Sequence, residues 1–202
     1  MNYEIIYGVP ILKTKMPNHE KILKGFLPFI ENKDNFDYSE IWNCDCKTTI
    51  SNQEKNKEFP WDLFFEEVYE VLGHYASSIG ITQNNIENIS SRAWINRYDK
   101  NESQEVHHHK QGNNLISCAY MLKLPKNSAE FSFFQPNYDI FPAHLKHVFG
   151  ENQMFLGDTT KPILSEGDIL FFPSSSTHYV NTHKTTELRS TISANFEVRI
   201  EN

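Results

Sequence analysis

The sequence predicts a mainly β protein with flanking helices, organised as a cupin-like jelly roll. Helical periodicity is confined to the first part of the chain, whereas from Asn85 onward the sequence breaks into short apolar segments separated by turn signals. Helices followed by many short strands are typical of a jelly roll with helices packed outside it. We see no internal repeat and no linker, so we expect one domain over residues 1–202, with 1–85 as a support region and 86–202 as the β core.

The support region begins with a predicted edge strand and a predicted helix. Residues Tyr3–Lys13 are β-branched and aromatic and contain a proline, which is typical of an edge strand. Asn18 is expected to cap a helix over His19–Glu31. The following residues 32–58 are polar, and only the part from 41 to 50 is expected to form a strand pair or an ordered loop.

The best helix pattern spans Pro60 to about Ile79. Apolar side chains recur at every third or fourth residue, with glutamates and His74 on the opposite side. Pro60 suits the first turn of a helix, and Gly80 suits its end. The apolar stripe predicts a helix packed on the outside of a sheet, and its members are Phe64, Val68, Leu72, Tyr75 and Ile79.

Short strands dominate the rest of the chain, with Gly-, Asn- and Asp-rich turns between them. The long segment from Pro136 to Thr160, with a short helix predicted around Ala143–Phe149, is the expected lid or substrate loop. The predicted strands are Ser91–Tyr98, Glu105–His109, Leu115–Leu124, Glu130–Gln135, Lys161–Leu164, Asp168–Pro173, His178–Thr182 and Leu188–Arg199.

Composition and charge narrow the classes of function. The formal net charge of −7 argues against sequence-independent binding to nucleic acid, which requires Lys and Arg on phosphates. No apolar run approaches the ~18 residues of a membrane span, and the N-terminus has no signal-peptide pattern. Three cysteines make a complete disulfide framework improbable, so a cytoplasmic location is expected. Cys44 and Cys46 have the wrong spacing for a zinc knuckle and are expected to be plain thiols.

Three consecutive histidines, His107-His108-His109, carry the strongest chemical signal. On a strand, side chains at positions i and i+2 share a face, so His107 and His109 point the same way and His108 points to the other face. A distant histidine brought in by another strand would complete three ligands on one side of a divalent metal. Such a site would leave coordination positions open for substrate and oxygen.

His178 is the expected third ligand, because it follows a tight turn and an apolar strand that ends at Pro173. This order is typical of a residue that lies at the mouth of a barrel. Arg189 falls on the next predicted strand, eleven residues later, where its guanidinium could bind a carboxylate through two hydrogen bonds. The remaining histidines singled out are expected to be ordinary surface or helix residues, with His183 a weaker competitor for His178; they are His19, His74, His144, His147 and His183.

Several motifs follow one another in an order that resembles one family. They are Trp94-x-Asn96, His107-x-His109, Ile116-Ser117-Cys118-Ala119-Tyr120, Phe134-Gln135-Pro136, Phe171-Phe172-Pro173, and His178 with Arg189-x-Thr191. Over residues 90–200 they resemble the iron(II)/2-oxoglutarate-dependent oxygenases related to prolyl hydroxylases, common in marine bacteria and their phages. The resemblance implies a double-stranded β-helix, an Fe(II) ion, 2-oxoglutarate as co-substrate, and O2-dependent hydroxylation that releases succinate and CO2.

The resemblance also implies roles for individual residues. His107 and His178 would be metal ligands, and Arg189 would bind the far carboxylate of 2-oxoglutarate. Thr191, on the same strand face as Arg189, would add a hydroxyl group, and Asn96 on the neighbouring strand would line the same pocket. A site of two histidines and one carboxylate leaves positions for a bidentate keto acid and for oxygen.

The sequence departs from the family pattern at the carboxylate, which His109 replaces two residues after the first histidine. Three ligand sets follow: a three-histidine site, a carboxylate supplied by Glu105, or a register that uses His109 and Gln111. Loss of the carboxylate opens a coordination position in the halogenating relatives, although a histidine fills space that those enzymes keep open. A second departure is Tyr120-Met121, where paired aromatic residues would be expected.

Two other classes of function remain open from the sequence. A cupin-type metalloenzyme or dioxygenase would use the three histidines without a keto acid, but this leaves Arg189 unexplained. A catalytically degenerate barrel would act as a binding or structural module. The acidic balance and the polar 136–160 segment do not choose between a small molecule and a peptide as substrate. Edge strands of such barrels often pair, so a homodimer is a further expectation.

Overall fold

The computed structural model describes residues 8–40, 42, 44–81, 86–135, 148 and 158–200. The start of the predicted first strand and most of the predicted 136–160 loop, with its short helix, lie outside the described residues. The helices are α1 (His19–Glu31), α2 (Gln53–Lys57) and α3 (Trp61–Ser78). The strands are β1 (Leu12–Lys15), β2 (Asp37–Tyr38), β3 (Lys47–Thr48), β4 (Ile86–Tyr98), β5 (Gln104–His107), β6 (Asn114–Lys123), β7 (Phe131–Phe134), β8 (Thr159–Thr160), β9 (Asp168–Pro173), β10 (His178–Val180) and β11 (Arg189–Ile200).

These strands form two antiparallel sheets that pack against each other. The larger sheet has the order β1-β9-β6-β11-β4-β3-β2, and the smaller has the order β5-β10-β7-β8. Apolar side chains of both sheets share one buried cluster, to which the small sheet contributes Phe131, Phe133 and Val180. The predicted jelly roll, a double-stranded β-helix, is confirmed.

The larger sheet separates two environments, because side chains alternate between the faces of a strand. On β11, Ile192 and Ala194 belong to the core shared with the helices. Arg189 and Thr191, in the other phase of the same strand, face the small sheet. The inner face therefore carries these polar groups beside the apolar cluster shared by the two sheets, and the outer face carries the core shared with the helices.

Helices α1 and α3 cover the outer face of the larger sheet. The predicted stripe on α3 is confirmed, since Phe64, Val68, Leu72 and Tyr75 are buried. Residues Ile22, Phe26 and Ile30 are the matching buried face of α1. Burying each large apolar side chain contributes about 1.5–3 kcal/mol, so the two helices stabilise the sheet that carries the inner polar face. None of the helices in the described part of the chain has the length and apolar character needed to cross a bilayer.

Three local features differ from the sequence prediction. The side chain of Asn18 does not cap α1; its backbone is left-handed and its amide donates to Glu67 of α3 at 2.7 Å. Helix α2 was not predicted, because it is short and polar. Its one sequence signal is the cap residue Asn52, whose side chain accepts a hydrogen bond from the Lys55 amide. The predicted strand over Lys161–Leu164 does not form, and β8 lies just before it.

Candidate metal centre

The side chains of His107, His109 and His178 meet in one cluster. One ligand nitrogen of each ring lies within 4.8 Å of the other two. The ring centroids are 4.3 Å apart for His107 and His178, 4.9 Å for His109 and His178, and 5.2 Å for His107 and His109. Among the described residues this is the one group of His, Cys, Asp or Glu side chains arranged to hold a metal ion. The fold therefore brings together the three histidines selected from the sequence.

The pairing of β5 with β10 positions two of the three rings. His107 ends β5 and pairs directly with His178, the first residue of β10. The register then shifts, because Val180 pairs with Gln104, three residues before His107. This bulge lets Gln104 and His107 both point inward, where Gln104 accepts a hydrogen bond from the Tyr98 hydroxyl at 2.7 Å.

His109 comes from the loop after β5 rather than from the strand. The predicted strand Glu105–His109 ends at His107, so simple strand alternation does not place this ring. Instead the backbone N–H of His109 donates to the carbonyl of Ser174 at 2.8 Å, which ties the loop to the end of β9. His109 is thereby buried, whereas His108 is exposed.

The rings of His107 and His178 each use Nδ1 for a hydrogen bond to the backbone. His107 Nδ1 lies 2.8 Å from the carbonyl oxygen of Glu105, and His178 Nδ1 lies 2.9 Å from that of Ser176. A carbonyl oxygen can only accept, so Nδ1 carries the proton in each neutral ring. Nε2 is then left without a proton and with a lone pair for a metal.

The ring of His109 is held in the same way by side chains. Its Nδ1 lies 2.8 Å from Asn195 Oδ1 and 3.2 Å from Ser117 Oγ. Ser117 Oγ also donates to Asn195 Oδ1 at 2.8 Å and lies 2.8 Å from Ser174 Oγ. Asn195 thus accepts from the ring and from the hydroxyl, and His109 presents Nε2 to its two neighbours.

Burial keeps all three rings neutral. Desolvation, followed by the neighbouring His107, lowers the pKa of His109 to about 3. Desolvation also lowers the pKa of His178 well below its usual value, and it lowers the pKa of His107 against the opposing effect of Glu105. Three unprotonated nitrogens that face one another repel unless a cation lies between them. Neutral imidazoles are ligands that iron accepts, so this donor set fits a divalent iron ion.

Glu105, the carboxylate considered from the sequence, is not a member of the histidine cluster. Its side chain lines a cleft of about 460 Å³ that opens beside His107 and His109 and also contains Trp42 and Trp94. Glu105 Oε2 is buried and has no hydrogen-bond partner among the described residues. The cleft therefore provides open space beside two of the three rings, His107 and His109.

Arg189 is fully buried at the start of β11. Its Nε donates to the carbonyl of Ala129 at 3.2 Å, and its guanidinium carbon lies 4.4 Å from the centroid of the Tyr98 ring. Burial lowers the pKa of Arg189, but a guanidinium stays charged in proteins. Within the described residues, neither Nη1 nor Nη2 has a hydrogen-bond partner. Two unpaired donors on a buried cation fit a carboxylate, which accepts both at once.

Asn96 and Thr191 are direct partners across β4 and β11, and both are buried beside the Arg189–Tyr98 pair. Asn96 Nδ2 donates to Ser193 Oγ at 3.5 Å, while its Oδ1 has no partner in the described part of the chain. Both side chains named from the resemblance therefore belong to the same inner face as Arg189.

Sequence reasoning misjudged His183, which lies near Arg189. His183 is fully buried, so its expected place on the surface is wrong; Nδ1 accepts from the Ala129 amide at 3.2 Å and Nε2 lies 2.8 Å from the carbonyl of Glu187. Tyr120 faces the helices, with its hydroxyl 2.5 Å from His19 Nδ1. The tyrosine beside Arg189 is Tyr98, which strand alternation puts in the phase of Asn96 and which the β4–β11 register pairs with Arg189.

Solved structures with the same fold include several oxygenases. A prolyl-4-hydroxylase of Pseudomonas putida is 9% identical, with 94% of this chain and 92% of that chain covered and a TM-score of 0.57. A prolyl hydroxylase of Trichoplax adhaerens, in complex with a hypoxia inducible factor peptide fragment, is 11% identical over 93% and 83%, with a TM-score of 0.58. SnoK, a non-heme α-ketoglutarate-dependent carbocyclase from nogalamycin biosynthesis, is 11% identical over 93% and 79%, with a TM-score of 0.61. At these identities the likeness is one of fold.

Sequence comparison identifies the family. No protein of curated function matches the chain. The family model described as "Putative 2OG-Fe(II) oxygenase" matches residues 92–195, which include the three clustered histidines and Arg189. Because this match spans more than half of the 202 residues, the protein belongs to the 2OG-Fe(II) oxygenases, enzymes that use iron(II) and 2-oxoglutarate.

Proposed function

We propose that this oxygenase hydroxylates a small-molecule or peptide substrate with O2 and releases succinate and CO2. The observation that carries the proposal is the combination of two features in one barrel. Three neutral histidines converge with unprotonated nitrogens, and a buried arginine on the inner face has two unpaired donors. A metal ion satisfies the first feature, and the carboxylate of a keto acid satisfies the second.

His107, His109 and His178 are the proposed ligands of Fe(II), each through Nε2. Three neutral ligands leave the centre one charge unit more positive than two histidines and a carboxylate would. The hydrogen bonds at Nδ1 orient each ring and make its Nε2 a better donor to the metal. Asn195, under His109, has this supporting role through a side chain, whereas His107 and His178 rely on the backbone.

Arg189 is the proposed anchor for the far carboxylate of 2-oxoglutarate, with Thr191 and Asn96 as neighbouring polar contacts. The hydrogen bond from Nε to the Ala129 carbonyl and the Tyr98 ring beneath the guanidinium hold it in place before the co-substrate arrives. A preorganised planar donor pair binds a carboxylate with little further loss of entropy. The carboxylate in turn neutralises a charge that is otherwise costly in this interior.

When bound, iron and the keto acid together supply the activation of O2. The chain contributes the orientation of these groups and the exclusion of water. The ring of Trp42 stacks on His107 at a centroid separation of 6.3 Å, and Trp94 lies 5.4 Å from His109, so apolar surface surrounds the cluster on its cleft side. The cleft, which His107 and His109 line, is the proposed entrance for the substrate.

Hydroxylation is preferred over halogenation because of His109. Halogenating relatives keep the carboxylate position open, whereas the ring of His109 occupies the third position of the cluster here. We further propose that residues 1–202 act as one domain, since α1 and α3 pack on the outer face of the sheet that bears Arg189. The cytoplasm is the proposed location, on the basis of the free cysteines.

In the first test, the Fe(II)-loaded protein is titrated anaerobically with 2-oxoglutarate. The weak visible charge-transfer band of the complex is monitored. Wild-type protein is expected to develop the band and, in air, to form succinate. Arg189→Ala should retain iron but need at least roughly 30-fold more keto acid, since losing one partner of a buried charge pair costs about 2 kcal/mol or more. Arg189→Lys is the matched control, since it keeps the positive charge but loses the planar donor pair. Its affinity for 2-oxoglutarate should lie between those of wild type and Arg189→Ala.

The outcomes of this titration separate the alternatives. An iron-loaded wild type without the band would overturn the keto-acid assignment and favour a cupin-type centre. A protein that binds no iron would overturn the metal assignment and favour a binding module. An Arg189→Ala variant with unchanged 2-oxoglutarate affinity would reject Arg189 as the anchor.

A further inference from the structure

Two cysteine thiols lie together outside the proposed metal and keto-acid contacts. Cys44 and Cys46 have their sulfur atoms 3.8 Å apart, and the Cys46 thiol donates to Cys44 Sγ. Both are free in the structure. The sequence prediction of plain thiols did not include this direct sulfur–sulfur contact.

The two thiols differ in the way a reactive pair requires. Cys44 is partly exposed, whereas Cys46 is fully buried. The hydrogen bond from Cys46 lowers the pKa of the Cys44 thiol, and the same contact, followed by burial, raises the pKa of Cys46. Cys44 is thus the more accessible and more acidic thiol, and Cys46 is the adjacent thiol placed to resolve a mixed disulfide.

The buried member of the pair, Cys46, packs near the proposed keto-acid anchor, Arg189. Cys46 belongs to the same buried cluster as Tyr98, the ring that supports Arg189. The intervening Asp45 amide donates to the carbonyl of Ser103 at 3.2 Å, so the cysteine loop is tied to the turn that precedes β5. A change in the position of the Cys46 sulfur therefore acts on the packing beneath Arg189.

We propose that Cys44 and Cys46 are a reversible modification site, oxidised to an intramolecular disulfide by a low-molecular-weight disulfide such as oxidised glutathione, and that this oxidation weakens 2-oxoglutarate binding. The effect on 2-oxoglutarate rests on the proposed function of Arg189, whereas the disulfide itself does not. Bond formation requires the sulfurs to approach from 3.8 Å to about 2.05 Å, a movement of less than about 2 Å.

The exchange balances without another reactant. The Cys44 thiolate attacks one sulfur of oxidised glutathione, which breaks its disulfide and releases one glutathione thiolate. The Cys46 thiol loses its proton, attacks Cys44 Sγ and releases the second glutathione. Two protein thiols lose two electrons and two protons in total, and one oxidised glutathione becomes two reduced glutathiones. A ring closed by three residues gains little entropic stabilisation, so the bond is expected to be reversible by reduced glutathione.

The test equilibrates the intact metal-free protein in mixtures of reduced and oxidised glutathione, quenches with acid, unfolds the protein, and counts free thiols by alkylation and mass spectrometry. Wild type is expected to lose two alkylation sites and two hydrogens without gaining glutathione mass. Cys46→Ser should instead accumulate glutathione on Cys44, and Cys44→Ser should stay reduced. Cys118→Ser is the matched control and should behave as wild type, since Cys118 is buried in the helix-side core.

A stable glutathione adduct on wild-type Cys44, or three free thiols throughout, would overturn the modification site. The coupling is read separately from the 2-oxoglutarate titration on protein equilibrated in either buffer, desalted and then loaded anaerobically with Fe(II). Oxidation is expected to weaken 2-oxoglutarate binding about fivefold, the lower end of common coupling between sites. Equal affinity in a fully disulfide-bonded sample would overturn the coupling. Absence of binding in the reduced sample would count against the proposed function and leave the thiol result intact.

Discussion

The guanidinium of Arg189 lies over the ring of Tyr98, its direct partner across β11 and β4, with the guanidinium carbon 4.4 Å from the ring centroid. A desolvated contact of this kind is worth about 2 kcal/mol, which offsets part of the cost of burying the charge. The Tyr98 hydroxyl is itself held by Gln104, so the supporting ring is fixed from β5. The strand that carries His107 therefore also fixes the platform for the arginine.

We expect His183 to orient Arg189 through the peptide of Ala129. His183 Nδ1 accepts from the Ala129 amide, and the carbonyl of Ala129 accepts from Arg189 Nε. In His183→Leu the buried amide loses its acceptor, which costs about 1–3 kcal/mol, and the Ala129 peptide can shift. We predict a rise of roughly tenfold in the dissociation constant for 2-oxoglutarate, measured from the anaerobic charge-transfer titration.

The control for this prediction is His183→Asn, which can retain an acceptor oxygen near the Nδ1 position. It should recover most of the 2-oxoglutarate affinity that His183→Leu loses. Iron affinity should be the same in both variants, because His183 is not part of the histidine cluster. Parallel losses of iron and 2-oxoglutarate would point to general unfolding rather than to positioning of Arg189.

His109 should be required for iron binding. His109→Ala removes one of three converging nitrogens, and we predict an iron affinity at least about 100-fold lower, since even the loss of an outer partner of a ligand costs 10–100-fold. His109→Asp restores the carboxylate of the usual pattern and should bind iron. Chelator competition measures both values, and exposed His108→Ala is the matched control, expected to match wild type. Normal iron affinity in His109→Ala would mean that the ring is not a ligand.

Glu105 should not be required for iron binding. Its carboxylate lies outside the histidine cluster and lines the cleft. Glu105→Gln keeps the size of the side chain and leaves the backbone carbonyl that accepts from His107 in place. We predict an iron affinity no more than about tenfold below wild type, because the substitution removes a neighbouring charge but no ligand atom, and about 1.4 kcal/mol corresponds to tenfold. A loss like that of His109→Ala would return the carboxylate to the ligand set.

Asn195 should tune the metal centre through the ring of His109. Asn195→Leu removes the oxygen that accepts from Nδ1, so the ring loses its preference for the tautomer with a free Nε2. We predict a 10–100-fold lower iron affinity in this variant, in the range found for outer partners of metal ligands. Asn195→Asp keeps an acceptor and should remain within a few-fold of wild type. Equal affinities for the Leu and Asp variants would exclude the hydrogen bond as the cause.

The residues that the sequence identified are those whose chemistry is unusual where they stand. His107 could be selected because it stands in a run of three histidines. His178 could be selected because it is a single histidine that follows an apolar strand. Both patterns are unusual. Arg189 could be selected because a strand-borne arginine needs an anion. The helix stripe on α3 was equally readable, since it depends only on periodicity.

The remaining features depend on contacts between distant segments, which periodicity does not encode. His109 reaches the cluster through a loop bonded to Ser174, not through strand alternation. His183 was misjudged because its burial results from contacts between segments. One contact is with Ala129, far away in the chain, and the other is with Glu187, close by. Tyr98 looks like any core aromatic residue until its strand partner is known.

The stability of the metal-free protein should fall as the pH decreases below neutrality. The histidines of the unfolded chain titrate near pH 6.5, whereas in the folded protein burial lowers the pKa of His109 to about 3 and lowers those of His107 and His178. Below pH 6.5 the unfolded state therefore binds protons that the folded state refuses, and the free energy of unfolding decreases with slope up to about 1.4 kcal/mol per pH unit for each histidine.

Urea unfolding of the metal-free protein between pH 7.5 and pH 4.5 measures this slope, and His109→Gln is the variant that isolates one ring. Glutamine can occupy the same buried position without titrating, so the slope should be shallower than in wild type over that range. The sign is fixed by the depressed pKa: a ring protonated in the folded state would give no such loss on acidification. An identical slope in His109→Gln and wild type would show that His109 is not the neutral, buried ring that metal binding requires.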